Sequence, residues 1–316
     1  MTAPAPRRPA AQIEALLAQP EVTEILVNGD RGTYIERAGR LEVVGCLEPE
    51  AVLHFVERTI TPLGLRLDRC SPIVDARLAD GSRLHAVIPP VAVDGLQVCI
   101  RRFAVQPFPL TDFGLPAHAI EMVRTAVAAR VNVVVSGATS TGKTSFLNSI
   151  AGFIPGEERV ITIEETAELR LSAAHVVRLE ARPANAEGAG SVSTRELVRA
   201  ALRMRPDRIV VGEVRGAEAF DLVQALHTGH AGSLCTVHAN AGVDALERIT
   251  QLALLADVPL GARSMRQQVA TALGLLVHLE RGNDGRRGVR EILHLGTEPA
   301  RVLWSAAPPI ESNAGG

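Results

Sequence analysis

The chain has 316 residues and a mass of 33.6 kDa, a length that accommodates about two domains, each with its own hydrophobic core. Hydrophobic residues make up 47% and charged residues 22%, which excludes wholesale disorder and a disulfide-stapled miniature protein. The 33 basic and 35 acidic residues nearly cancel, and aromatic residues are only 3%, so a protein that coats nucleic acid or stacks single strands is disfavoured.

The cysteines and the hydropathy pattern indicate the cellular compartment of the protein. Cys46, Cys70, Cys99 and Cys235 are far apart and form no CxxC pair, which predicts reduced thiols rather than a zinc ribbon or a disulfide framework. No stretch approaches the roughly 18 apolar residues of a membrane-spanning helix. We therefore expect a cytoplasmic protein that reaches a membrane only through partners.

The first third of the chain predicts a small α+β domain over residues 11–103, preceded by a disordered leader over residues 1–10. Its elements, in chain order, are a helix over 10–19, an antiparallel meander over 24–45, a helix over 49–64 and strands over 73–103. A segment rich in proline and turn residues follows over 104–116, and this composition is typical of a linker between two cores.

Helical patterns alternate with short Val- and Ile-rich runs from His118 onward. These runs cover residues 131–137, 159–165, 176–182, 208–213 and 233–239. Such alternation predicts a second, α/β domain over 117–304, built on a mostly parallel sheet with helices on its faces. A mobile loop is expected over 183–192 and a tail over 305–316.

The segment GATSTGKT, residues 137–144, fits the phosphate-loop pattern GxxxxGK[ST] between a buried-strand pattern and a helical pattern. Loop amides and the following helix N-terminus would surround the phosphates, and Thr144 would bind Mg²⁺. Lys143 is the only lysine among the 33 basic residues, which indicates a position that needs a compact ammonium rather than a guanidinium. The predicted nucleotide-binding residues are Gly137, Ala138, Thr139, Ser140, Thr141, Gly142, Lys143, Thr144 and Ser145.

A second carboxylate is needed beside the phosphates, because Mg²⁺ and the attacking water require oxygen ligands there. The segment RIVVGEVRG supplies one: an apolar strand over 208–211 is followed by Gly212 and then by Glu213. Glu213 is therefore predicted to act as a Walker B acid, which orients or deprotonates water and holds Mg²⁺ directly or through water. The alternative is an ordinary salt-bridge partner at a strand end.

Three acids and two histidines lie near other strand ends. Glu164, Glu165 and Glu168 indicate either a solvated helix start or a box that orients water or Mg²⁺.

His230 and His238 flank the strand over 233–239. No Cys or acid lies at metal-ligand spacing, so metal binding is disfavoured. A structural hydrogen-bonding role stays open beside a pair of neutral imidazoles that sense the γ-phosphate or link it to a subunit face.

This ordered set of motifs resembles the secretion ATPases of type II and type IV systems, and within them the CpaF/TadA branch that powers Flp (Tad) pilus assembly. The resemblance extends from about Glu21 to Leu295. The segments that carry it are VNG, DARLADGSRLHAVIPP, DGLQVCIRRF, GATSTGKT, IEETAEL and LVRAALRMRPDRIVVGEVRGAEAFDLVQALHTGHAGSLCTVHAN. It implies a RecA-like P-loop ATPase domain behind a PAS-like N-terminal domain, a ring of six subunits, and ATP with Mg²⁺ bound between the two domains.

The resemblance also implies residue roles. Lys143 and Thr144 correspond to Walker A, Glu213 to Walker B, the three acids to the Asp-box region, and the two histidines to the His box. Arginines that would reach the γ-phosphate or stabilise charge across a subunit boundary are Arg83, Arg101, Arg102, Arg195, Arg203 and Arg205. For any one of these arginines, a surface ion pair in an arginine-rich chain is the alternative.

The sequence thus predicts an ATPase that drives pilin or substrate movement through an inner-membrane platform protein, without direct nucleic-acid contact. Two other functions stay open. One is a nucleotide-gated scaffold with little turnover, and the other is a DNA-handling motor of the conjugation type, which the near-neutral charge disfavours.

Overall fold

The computed structural model describes residues 10–37, 39–102, 108–171, 173–185, 187–282, 285–296 and 300–306. The chain divides into two compact units, the first made of Met1–Ala104 and Pro183–Ser191 and the second of Val105–Arg182 and Val192–Gly316. The expected leader lies outside the described residues, except that residue 10 already begins a helix. The expected tail also lies outside them, apart from residues 305 and 306.

The first unit contains a six-stranded sheet in the order β3-β2-β1-β6-β5-β4, in which every neighbouring pair is antiparallel. Its elements are α1 (Ala10–Leu17), β1 (Val22–Asn28), β2 (Thr33–Arg37), β3 (Arg40–Gly45), α2 (Pro49–Ile60), β4 (Ile73–Arg77), β5 (Arg83–Val87) and β6 (Gln97–Arg101). The predicted meander is observed as β1 to β3. Alternate residues of β1, β2 and β6, such as Ile25, Ile35 and Ile100, are fully buried with Val56 of α2, so the two helices cover one face of the sheet.

The second unit contains an eight-stranded sheet in the order β14-β13-β12-β7-β11-β10-β8-β9. Its strands are β7 (Val133–Gly137), β8 (Arg159–Glu164), β9 (His175–Glu180), β10 (Arg208–Val214), β11 (Leu234–His238), β12 (Leu275–Arg281), β13 (Arg287–His294) and β14 (Arg301–Ser305). Its helices are α3 (Ala117–Ala128), α4 (Lys143–Ala151), α5 (Thr194–Ala201), α6 (Glu218–His227), α7 (Gly242–Leu254) and α8 (Ala262–Ala272). Six neighbouring strands from β12 to β9 are parallel, as the sequence predicts.

Two separate hydrophobic clusters pack against the two faces of this sheet. One contains Phe146 and Leu147 of α4, and the other contains Ala219 of α6 and Ile249 of α7. Burial on both faces explains why the central strand β7 is apolar and buried along its whole length. The fold is therefore the α/β fold that the sequence predicts.

An antiparallel edge extends the parallel sheet, and the strand patterns recognised in the sequence did not include it. Strand β13 pairs with β12 and β14 pairs with β13, both antiparallel. Among the described residues, no helix is long and apolar enough to cross a membrane.

Candidate functional site

The carboxyl ends of the parallel strands form the candidate site, and the phosphate loop follows the central strand β7. Gly137, the last residue of β7, has φ 155°, and a Cβ there would lie 2.5 Å from the Leu279 carbonyl oxygen. Gly142 has φ 91° and precedes the first residue of α4. Both positions therefore require glycine. The loop between them closes over itself, since the Thr141 hydroxyl donates to the Ala138 carbonyl at 2.9 Å.

Lys143 opens α4 with a buried side chain whose ammonium has three acceptors. Nζ donates to the carbonyl oxygens of Gly137 at 3.0 Å and Ala138 at 2.9 Å, and it lies 3.2 Å from Nδ1 of His238. An ammonium has three N–H donors, so all three are used. Burial lowers the pKa of Lys143, and Arg215 lowers it further, against an opposing effect of Glu213.

His238 ends β11 and bridges Lys143 to Glu213 of β10. Its Nδ1 accepts from Lys143, so the ring proton lies on Nε2, which is 2.5 Å from Oε1 of Glu213. Burial lowers the pKa of His238 most, and the Lys143 and Arg215 cations lower it further, against the opposing effect of Glu213. The neutral ring is therefore the stable form at pH 7.

Glu213 is fixed from its other side by an arginine that the sequence analysis did not select. Arg215 Nη2 lies 2.6 Å from Oε2 of Glu213, and Nη1 lies 2.6 Å from Oε2 of Glu165. The hydrogen bond to Glu213 raises the pKa of Arg215. The segment GEVRG could have indicated Arg215 as a partner of Glu213, because residues two apart at a strand end project to the same side. The chain Lys143, His238, Glu213, Arg215, Glu165 is one continuous polar network.

Glu164 is buried and has a different role from its two acidic neighbours. Its Oε1 accepts the main-chain N–H groups of Glu168 and Leu169, both at 2.9 Å. Burial raises its pKa in spite of these hydrogen bonds. A Cβ at Gly212 would lie 2.8 Å from Cγ of Glu164, so this glycine makes room for the buried carboxyl. Glu164 thus shapes the loop after β8, whereas Glu165 joins the polar network.

The donors available for Mg²⁺ are the Thr144 hydroxyl, in the first turn of α4, and the Glu213 carboxylate. Within the described part of the chain no three His, Cys, Asp or Glu side chains group into a metal site. Mg²⁺ prefers oxygen ligands, keeps several waters and takes substrate phosphates as ligands. Two protein oxygens beside a phosphate loop therefore fit an ion that arrives with a nucleotide.

Four other predicted residues of this unit do not belong to the polar network. His230 precedes β11, where its Nδ1 lies 3.2 Å from the Ala225 carbonyl, so it is at the opposite end of the strand from His238. Arg203 and Arg205 are exposed and precede β10. Arg195 pairs with Asp221 at 2.6 Å, a carboxylate that also binds Arg199. Within the described part of the chain, none of these four predicted residues hydrogen-bonds or pairs with a residue of the polar network.

Two of the three predicted arginines of the first unit, Arg83 and Arg102, have local bonding partners. Arg83 and Arg101 are register partners on β5 and β6, and Arg83 lies 3.5 Å from Asp75. Arg102 donates to the main-chain oxygens of Gln19 and Val22 at 2.5 and 3.2 Å, so its guanidinium ties the end of β6 to the turn before β1.

Because Lys143 is the only lysine, its amine can be followed by chemical labelling. A pKa below the ordinary 10.5 leaves more neutral amine at a given pH, so we expect acylation of Lys143 to reach half its maximal rate below pH 10.5. Mg²⁺-ATP should slow the reaction about tenfold or more, as phosphates cover the ammonium. Mass spectrometry of the 137–144 peptide measures it, with the N-terminal amine as internal control. Equal labelling with and without nucleotide, in folded protein, would contradict this placement.

Comparison with known proteins assigns the family. Residues 7–284 match the type II/IV secretion system protein family. The chain belongs to this family. It is 39% identical over 321 residues to a putative conjugal transfer protein of Mycobacterium tuberculosis, covering 96% of this chain and 91% of that protein. It is 34% identical over 281 residues to the type IV secretion system protein PtlH of Bordetella pertussis, covering 79% and 80%.

A solved family member agrees in fold. The VirB11 ATPase of the Brucella suis type IV secretion system is 26% identical, with a TM-score of 0.51 over 90% of this chain and 93% of that one. The chain is thus a secretion-system family protein with the α/β fold of these ATPases.

Proposed function

We propose that this family member is a hexameric ATPase whose ATP hydrolysis powers assembly of a type IV, Flp (Tad) pilus or secretion of a substrate through a membrane platform. The proposal rests above all on one observation, the contact of the Walker A lysine with Glu213 through His238. In this proposal residues 11–103 form the small domain, residues 117–304 form the ATPase domain, and partners hold the ring at the inner face of the cytoplasmic membrane.

All three N–H donors of the Lys143 ammonium are already hydrogen-bonded, so phosphate binding requires an exchange of acceptors. A phosphate oxygen can accept from Nζ only when one present acceptor is released. The Gly137 and Ala138 carbonyls belong to the loop itself, whereas His238 is a side chain that can rotate. Phosphate binding therefore frees His238 from Lys143 and changes its contact with Glu213. This exchange would make the geometry of the Walker B acid depend on the occupied nucleotide state.

Glu213 would orient or deprotonate the attacking water while Lys143 neutralises charge on the transferred phosphoryl group. Bound Mg²⁺, held by Thr144 and Glu213, would supply further charge neutralisation. Arginines from the first domain or a neighbouring subunit would complete the site, and by resemblance these are Arg83, Arg101, Arg102, Arg195, Arg203 and Arg205. By the same resemblance, Glu168 and His230 act from the Asp-box and His-box regions.

Phosphate release measured across a protein concentration series, with molar mass by light scattering on the same samples, tests the ring mechanism. We expect specific activity to rise with a hexamer-sized species. A nucleotide-binding protein that shows no turnover in any assembly state would favour the nucleotide-gated scaffold instead.

A DNA-handling conjugation motor is the second candidate, and the relatives named as conjugal transfer proteins favour it. The net charge of −2 argues against a broad DNA-binding surface. Fluorescence anisotropy with labelled single- and double-stranded DNA, at two salt concentrations, separates the two. Salt-sensitive binding that stimulates ATP turnover would support the conjugation motor and contradict the pilus assignment.

The lowered pKa of His238 predicts an acid limit to activity. Protonated imidazole cannot accept from Lys143, so the network is intact above the His238 pKa and breaks as the pH falls through it. We expect kcat/KM for ATP to be level near neutrality and to fall below the ordinary histidine value of about 6.5. His238→Asn keeps an acceptor near the position of Nδ1 and cannot protonate, so its profile should lack this limb. An unchanged acid limb in His238→Asn would assign the limb to another group.

A further inference from the structure

The antiparallel edge of the second sheet begins directly beside the strand that leads into the phosphate loop. Strand β12 runs parallel to β7, and its His278 is the register partner of Ser136. The next residue, Leu279, is the partner of Gly137, where a Cβ would lie 2.5 Å from the Leu279 carbonyl oxygen. The Gly137 carbonyl in turn accepts from Lys143. Two residues of β12 therefore lie against the strand end that presents this acceptor.

A buried hydrogen bond joins the two strands at this position. Ser136 Oγ and His278 Nδ1 lie 2.9 Å apart, and the two residues are only 0% and 1% exposed. Burial lowers the pKa of His278 against the opposing effect of nearby carboxylates, so the ring that meets the hydroxyl is neutral. A buried pair of this kind keeps its geometry, because neither group has water as an alternative partner.

The pairing of β12 with β13 is irregular at the same point. His278 pairs with Glu291, but the next residue, Leu279, pairs with Val289, so Arg290 has no register partner on β12. A β-bulge of this kind bends a strand and re-aims its side chains, and bulges are frequent beside active sites. The bulge thus occurs at the two residues of β12 that face the phosphate loop.

Strand β13 also reaches the segment that follows His238. The carboxylate of Glu291, the register partner of His278, lies at the start of α7, where a Cβ at Gly242 would be 2.4 Å from its Oε1. A negative charge at this position complements the positive end of the helix dipole. The strand pair therefore contacts the main chain on both sides of Lys143, whereas the imidazole of His238 is a side chain that can rotate.

We propose that His278 is a positioning residue for the phosphate loop. It holds the Ser136 hydroxyl and so keeps the Gly137 carbonyl in place as an acceptor for Lys143. The exchange of acceptors that phosphate binding requires then falls on His238. His278 acts through the strand and does not itself contact the nucleotide. This inference rests on the proposed nucleotide-binding function, but its first test needs no nucleotide.

Acylation of Lys143 in the nucleotide-free protein is that test. His278→Leu removes the hydrogen bond at similar volume, and a looser strand end would expose the ammonium to water. Burial is the main cause of the lowered Lys143 pKa, so the half-maximal rate should move to higher pH, towards 10.5. His278→Asn keeps a polar atom near the position of Nδ1 and should restore the wild-type profile. A His278→Leu protein that is folded by circular dichroism and keeps the wild-type profile would overturn the proposal.

ATP affinity, measured by calorimetry with Mg²⁺, separates positioning from an unrelated loss. His278→Leu and Ser136→Ala should each weaken binding about tenfold, and the double variant should weaken it no further, because both changes remove one hydrogen bond. Losses that multiply in the double variant would overturn the proposal. His227→Leu is the matched control, since His227 is an exposed histidine at the end of α6, and it should bind ATP like wild type. A wild-type protein that binds no ATP would contradict the proposed function and leave the nucleotide-free profile to decide the role of His278.

Discussion

Glu213→Gln lowers kcat for ATP hydrolysis by about 10²- to 10⁴-fold, the usual range for removal of a general base, and leaves ATP binding nearly unchanged. The amide keeps the size of the carboxylate and one oxygen for Arg215, so the contact now 2.6 Å long can persist. It cannot take a proton from water. Phosphate release and nucleotide affinity, measured on the same preparation, check the prediction.

Two further variants make the Glu213 experiment specific. Glu247→Gln makes the same chemical change in an exposed carboxylate that pairs with Arg266 at 3.0 Å, and it should hydrolyse ATP like wild type. Glu165→Gln removes the charge at the far end of the Arg215 bridge and should reduce kcat less than Glu213→Gln does. Unchanged turnover in an assembled Glu213→Gln protein would remove the Walker B role and leave the scaffold function as the better description.

Arg208→Met lowers the free energy of unfolding by about 3–5 kcal/mol, the cost of breaking a buried ion pair from one side. The Arg208 side chain is fully buried and pairs with Glu158. It also donates to the carbonyl oxygens of Val127 at 2.6 Å and Gly232 at 3.2 Å. Methionine fills similar volume but removes the buried donor groups that Arg208 supplies to Glu158 and to these two carbonyls. Urea unfolding followed by circular dichroism measures the change.

The matched control is Arg266→Met, which removes an exposed, half-accessible pair and should cost less than about 1 kcal/mol. The pH dependence provides a second check. Hydrogen bonds from Arg208 and Arg130 hold the pKa of Glu158 below its ordinary value, although burial alone would raise it. The stabilisation is therefore present at neutral pH and is lost as the pH falls through that lowered pKa. An Arg208→Met protein that unfolds like Arg266→Met would contradict this account.

The second unit has a polar network at each end of β10. The ion pair of Arg208 and Glu158 lies at the start of β10, whereas Glu213 lies near the end of the same strand. One end of β10 is thus fixed by a buried pair and by hydrogen bonds to neighbouring segments. The other end carries a carboxylate whose partners, His238 and Arg215, are side chains that can rotate. A rigid strand that presents an adjustable acid is suited to a site whose contacts change with nucleotide state.

Local sequence determined the positions that depend on backbone geometry and on neighbours along the chain. The pattern of 137–144 between an apolar strand and a helix specifies the phosphate loop, because only glycine tolerates the conformations at 137 and 142. The alternation of apolar runs with helical patterns specifies a parallel sheet buried on both faces. The isolation of Lys143 among arginines indicated the one position where an ammonium is required.

Tertiary structure alone decided which side chains meet. The sheet order places β11 between β7 and β10, so His238 reaches both Lys143 and Glu213, although these lie 95 residues and 25 residues away along the chain. The sequence already places His230 before β11 and His238 at its end, but only the sheet order brings His238 to Lys143 and Glu213. Strand order follows from long-range packing of helices on the two faces, a property of the whole core that no local pattern contains.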